Sequence, residues 1–195
     1  MASIKAVFSD IDGTLVHYEE SPEALALPAS KTGRCGYISK ETLELIQQIR
    51  ANAVKFVLVS GVRYSTFAAR LPFMPMADAY VIENGGRIFY PIAPSKDEGE
   101  RAPSAEELVE DMDWRKQLES SCGGPEMDAL PPQERQGPLW EVLKSLVKDG
   151  VQPDTASYFT MMRIDTTKAA DWPALLSRHL NALLTWPGTW QASSR

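Results

Sequence analysis

Asp10-Ile11-Asp12-Gly13-Thr14 follows directly on the apolar run Ile4-Lys5-Ala6-Val7-Phe8. The pattern predicts a short buried strand over 4–8 that runs into a Gly turn carrying two carboxylates one residue apart. In an open α/β sheet, ligands gather outside the carboxyl ends of the strands. A pair of acids at such a place suits Mg²⁺, a hard cation that prefers oxygen ligands. One acid can attack a phosphorus centre while the other moves a proton. The plainer alternative is that both aspartates only cap a strand-to-loop turn, since Asp-Gly is a common turn pair.

The same arrangement recurs twice. Ser60-Gly61-Val62-Arg63 follows the run Phe56-Val57-Leu58-Val59, and Glu83-Asn84-Gly85-Gly86 follows Ala79-Tyr80-Val81-Ile82. Strands are expected over 54–59 and 79–83. Ser39 is a good N-cap for a helix with Leu43, Leu45, Ile46 and Ile49 on its apolar face. A second helix is expected from Tyr64 to Leu71. Strand alternating with helix implies parallel pairing through right-handed crossovers. Residues 16–38 form a long connection containing Pro22, Pro28, Gly33 and Gly36, and loops of this length are uncommon unless they serve a site.

From about position 88 the character changes. Pro91, Pro94 and a charged run from Lys96 to Arg101 read as a junction. Ser104 with Glu107 is a capping box that opens an acidic helix to about Glu119. On that helix Glu106, Glu110, Asp111 and Asp113 read as a solvated face. After a Gly/Pro-rich loop, Leu139, Val142, Leu143 and Leu146 mark an amphipathic helix stopped by Gly150. A strand is expected over 156–165. A last helix is expected over 168–184, with Leu176, Leu180, Leu183 and Leu184 inward.

The chain has 195 residues and a formal net charge of −6. An acidic balance argues against nucleic acid or an anionic membrane as partner, because either calls for a basic patch. It also means that a metal or another local cation must offset bound phosphate. Cys35 and Cys122 are too few for a disulfide framework and read as reduced thiols. With no long apolar stretch and a strand beginning almost at Met1, a cytoplasmic protein is expected. His17 and His179 lack a ligand set and read as structural or exposed. The five tryptophans read as packing rather than a base-stacking platform, since they do not alternate with basic residues.

The three motifs, in this order and each after an apolar run, resemble the haloacid dehalogenase (HAD) superfamily of phosphatases and phosphotransferases. The third is similar to the signature of its Cof-like and sucrose-phosphatase-like branch. The resemblance runs over roughly the first 90 positions. It implies an α/β fold: a Rossmann-like parallel sheet core, here residues 1–90, with an inserted α+β cap, here residues 91–195. It further implies that Asp10 is the nucleophile, forming an aspartyl-phosphate, and that Asp12 protonates the leaving oxygen and then activates water. The Asp10 carboxylate and the Asp12 carbonyl would ligate Mg²⁺. Gly13 would let the chain turn and keep backbone N–H groups near the phosphate. Ser60 would donate to the transferring phosphoryl group, with Gly61 beside it, or Ser60-Gly61 would be an ordinary helix start. Arg63 would bind substrate or sit on an exposed helix turn. Asn84 would face the site or only supply the tight turn. The segment after the first motif would be a flap over the site, or a plain surface insertion.

The family also carries a later lysine and an acidic motif that usually begins Gly-Asp. This chain contains no Gly-Asp pair. Lys168 is the nearest candidate for the lysine. The expectation is therefore a core lacking its C-terminal part, with a first strand whose outer edge is open to self-association. The activity implied is Mg²⁺-dependent hydrolysis of a small phosphate monoester, of the sugar-phosphate kind. The rivals are a non-catalytic homologue that binds a phosphorylated ligand or partner, and a phosphosugar mutase.

Overall fold

The computed structural model describes residues 4–29, 33–92 and 103–168, with 171, 173, 174 and 177 as single positions. It contains two compact units, Met1–Asp111 and Met112–Arg195.

The first unit is built on a five-stranded sheet. Its strands are β1 (Ala6–Asp10), β4 (Lys55–Val59), β5 (Ala79–Ile82), β6 (Arg87–Pro91) and β7 (Leu108–Glu110), side by side in that order. β2 (Ala24–Ala26) and β3 (Tyr37–Ser39) form a separate antiparallel pair. The parallel half of the expected sheet is present: β1 pairs with β4 and β4 with β5, all parallel. The other half is antiparallel, through β5–β6 and β6–β7. A chain that turns back after only four residues, Glu83, Asn84, Gly85 and Gly86, has no room for a crossover helix, so β6 must run antiparallel.

β1 starts and ends two residues later than expected, so that Asp10 is its last residue. It is also less buried than expected, with Ile4 71% and Phe8 69% exposed. Among the described residues β1 pairs only with β4, and a strand at the sheet's edge covers its faces less completely.

α1 (Lys40–Ala51) and α2 (Tyr64–Arg70) connect the parallel strands. The Ser39 hydroxyl accepts from the Thr42 N–H at 3.0 Å, the expected N-cap. Ile46 is buried under α1, whereas Leu45 is half exposed, one position off the apolar stripe. Phe67 of α2 lies 5.6 Å from Tyr80 of β5 and 5.9 Å from Phe89 of β6, centroid to centroid. This aromatic cluster fixes α2 on the sheet and so fixes what its last turn presents. The connection over 16–38 is also anchored. Val16, Leu27 and Ile38 are buried in the main core, each burial contributing about 1.5–3 kcal/mol.

The acidic helix expected from Ser104 is absent. The capping box forms, with the Ser104 N–H donating to the Glu107 carboxylate at 2.7 Å. One turn of 3-10 helix follows, and the chain then enters β7. Glu110 is no solvated acid: it takes two hydrogen bonds from the buried Arg87 on β6. Pairing with β6 overrides the local helical preference.

In the second unit, α3 (Met112–Gln117) packs on α4 (Glu119–Cys122) and α4 on α5 (Pro138–Lys148), whose Trp140, Leu143 and Leu146 are buried. The Trp140 indole N–H donates to the Cys122 carbonyl at 2.6 Å. Gly150 ends α5 as expected, at φ +84°. No strand spans 156–165; only an isolated bridge joins Asp154 to Arg163. A turn at Ala156–Ser157, with Ser157 at φ +56°, and bends at Phe159 and Thr160 break that run. The expected helix over 168–184 falls largely outside the described residues, as do His179, Trp172, Trp186, Trp190 and the Lys168 side chain. Cys35 and Cys122 are free thiols, as expected. Among the described residues no helix is long and apolar enough to cross a membrane.

Candidate active site

The register of the parallel strands brings the first two motifs together. Asp10 pairs with Val59, so Ser60 and Gly61 leave β4 beside the point where Asp10, Ile11 and Asp12 leave β1. Ile11 is buried and acts as the pin between the two aspartates, which are both exposed. Gly13, at φ +84°, makes the turn possible. Its N–H donates to the Val16 carbonyl at 2.8 Å, and those of Thr14, Leu15 and Val16 all donate to Ile11. These four amides close the turn and are not free to face a phosphate. The Asp12 amide and carbonyl make no hydrogen bond among the described residues.

The two carboxylates differ sharply in their surroundings. The Asp10 carboxylate has no hydrogen bond or ion pair among the described residues. Asp12 Oδ1 accepts from the Tyr18 hydroxyl at 2.5 Å and from Arg70 Nη1 at 2.9 Å. Arg70 is buried, while the Asp12 side chain is 36% exposed. Burial, and then the neighbouring Asp12 carboxylate, raise the Tyr18 hydroxyl above its ordinary value of 10, so it remains a donor at neutral pH. The guanidinium of Arg34 lies 3.9 Å above the centre of the Tyr18 ring.

The third motif locks onto the second. Glu83, Asn84 and Gly85 all have positive φ, at +53°, +55° and +95°. Glycine adopts this region freely, but Glu83 and Asn84 do so at a cost and persist there only where the surroundings impose it. The Asn84 N–H donates to the Ser60 carbonyl at 3.1 Å, and the Glu83 N–H to that of Val62 at 3.3 Å. A Cβ on Gly61 would meet Asn84 Oδ1 at 2.6 Å, so the glycine admits the asparagine side chain. Ser60 is buried, and its Oγ accepts from the Val62 N–H at 3.2 Å, which leaves the hydroxyl proton to donate. Arg63 is half-buried at the N-cap position of α2. His17 is exposed, with its backbone bridged to Tyr37.

A strand-end acid pair, a Ser-Gly turn at the next strand end and a left-handed Glu-Asn-Gly turn over it thus lie on one edge of one sheet. Residues 7–118, more than half of the chain, match the haloacid dehalogenase-like hydrolase family. The chain belongs to this family. Among curated proteins none matches it. The matched stretch takes in all three motifs and every strand of the sheet but the first residue of β1.

Enzymes of this family typically use Mg²⁺. The donor set here is the unpaired Asp10 carboxylate and the unpaired Asp12 carbonyl, both oxygen. Mg²⁺ keeps several waters and is commonly bound by one or two carboxylates plus substrate phosphate, and this donor set fits such a site. Among the described residues no group of three acids, histidines or cysteines gathers anywhere.

Sequence reasoning missed Tyr18 and Arg70. Arg70 did leave a signal: it stands three residues after Phe67, on the inward face of α2, where an apolar residue is the norm. A buried arginine there requires an acid partner. Tyr18 left none, since nothing in a loop marks which way a ring points.

Proposed function

We propose that this hydrolase cleaves small phosphate monoesters through an aspartyl-phosphate on Asp10. The observation that carries the reading is the division of labour between the two aspartates. Asp10 is exposed and unpaired at the strand end, as a nucleophile must be. Asp12 is held by two donors at one oxygen, as a group that hands over a proton in one direction must be.

Asp10 attacks phosphorus and displaces the alcohol, whose oxygen takes a proton from Asp12. Water then attacks the aspartyl-phosphate, gives its proton to Asp12, and releases phosphate and free Asp10. Ser60 donates its hydroxyl to the phosphoryl group, and Asn84, seated against Gly61, orients the substrate with Arg63. Asp10 and the Asp12 carbonyl would hold Mg²⁺, which when bound offsets the negative charge of phosphate and nucleophile.

The test is Mg²⁺-dependent hydrolysis of an aryl phosphate and of a panel of sugar phosphates, with Asp10→Asn as control. Activity is expected in the parent chain and a loss of about a thousandfold or more in Asp10→Asn. Equal activity in both proteins would overturn the nucleophile assignment.

A further inference from the structure

The geometry points to Tyr18 and Arg70 as positioning residues that hold Asp12 by Oδ1 and leave Oδ2 for the reacting proton. This rests on the reading of Asp12 as the proton donor. Both donors land on the same oxygen, at 2.5 and 2.9 Å, and Oδ2 has no partner among the described residues. A partly exposed carboxylate without such a clamp rotates, and either oxygen can face solvent. Misplacing a reacting group by an ångström or so costs on the order of a hundredfold in rate.

The clamp is stiff on both sides. Arg70 is 6% exposed and ends a helix pinned by the Phe67–Tyr80 and Phe67–Phe89 contacts. Tyr18 carries Arg34 against its ring, and the backbone of His17 beside it is bridged to Tyr37. The segment over 16–38 therefore contributes a donor to the acid–base pair from one side, and α2 contributes another from the core. A salt bridge serving stability alone would need neither the shared oxygen nor the tyrosine.

The test measures kcat/KM for a series of aryl phosphates whose leaving groups differ in basicity, with Mg²⁺ present. The proteins are the parent, Asp12→Asn, Tyr18→Phe and Arg70→Lys. Tyr18→Phe removes only a hydroxyl and serves if Arg70→Lys fails to fold. Tyr18→Phe is expected to lose about tenfold on the most basic leaving group and under about twofold on the least basic, because good leaving groups need no proton. Asp12→Asn is expected to steepen the same dependence further. If Asp12→Asn steepens it while Tyr18→Phe and Arg70→Lys lose activity evenly, or not at all, the clamp is overturned. If Asp12→Asn leaves the dependence unchanged, or the parent is inactive, the acid–base reading fails, and arginine side-chain NMR decides the clamp. Arg70 guanidinium protons that exchange slowly in the parent and quickly in Asp12→Asn support it, and fast exchange in the parent overturns it.

Discussion

At the scale of single residues, ionised side chains do more here than their number suggests. Asp78 accepts from the Phe56 N–H at 2.9 Å and from Lys55 Nζ at 2.8 Å, with Arg50 Nε at 3.6 Å. Burial pushes its carboxyl up, but the Lys55 and Phe56 hydrogen bonds and the Lys55 and Arg50 charges outweigh that, holding it below its ordinary 3.8. A carboxyl lowered in the folded state adds stability that is present above its unfolded value and is lost as pH falls through the folded one. Acid unfolding between about pH 5 and pH 2 should therefore be shallower in Asp78→Asn. That variant should also be less stable at neutral pH by about 1–2 kcal/mol, read from denaturation curves. The residue scale also shows what the sequence could disclose. Asp10, Asp12, Ser60 and Asn84 stand out as candidates because each motif sits on a few consecutive residues at a strand end. Arg70 reaches Asp12 across 58 positions, and no local pattern encodes that contact.

At the scale of elements, apolar runs were read correctly and their surroundings less so. β4, β5 and α2 formed within two residues of their expected bounds, α1 began after its Ser39 cap and α5 stopped before Gly150. The segment after Ser104 failed, since its capping box was satisfied in one turn and the Arg87–Glu110 pair then favoured a strand. In the second unit, α3 and α4 depend on a buried charge rather than on periodicity. Arg115 is 1% exposed and donates to the Gly123 carbonyl at 3.0 Å, to Cys122 Sγ at 3.2 Å and to Asp128 at 2.9 Å. Removing one partner of such a pair leaves the others desolvated and unpaired. Arg115→Met should lower the stability of this unit by about 3 kcal/mol. All five tryptophans follow Asp111, so urea unfolding followed by tryptophan fluorescence reads this unit and not the first. An unchanged midpoint would contradict the prediction.

At the scale of the whole molecule, the first unit alone contains the three motifs, the aspartate pair and its clamp. Strand order there was legible as far as the alternation of strand and helix reached, through β5. The antiparallel β6 and β7 were not, because a return after four residues sets direction by geometry and not by composition. On the proposed mechanism Asp10 becomes phosphorylated during turnover. The most direct measurement is to mix the parent chain with substrate and Mg²⁺, quench in acid within the first turnover, and map the modified peptide by mass spectrometry. One added phosphoryl group is expected on Asp10, absent from Asp10→Asn. Turnover without any phosphorylated Asp10, or phosphorylation at another residue, would contradict it.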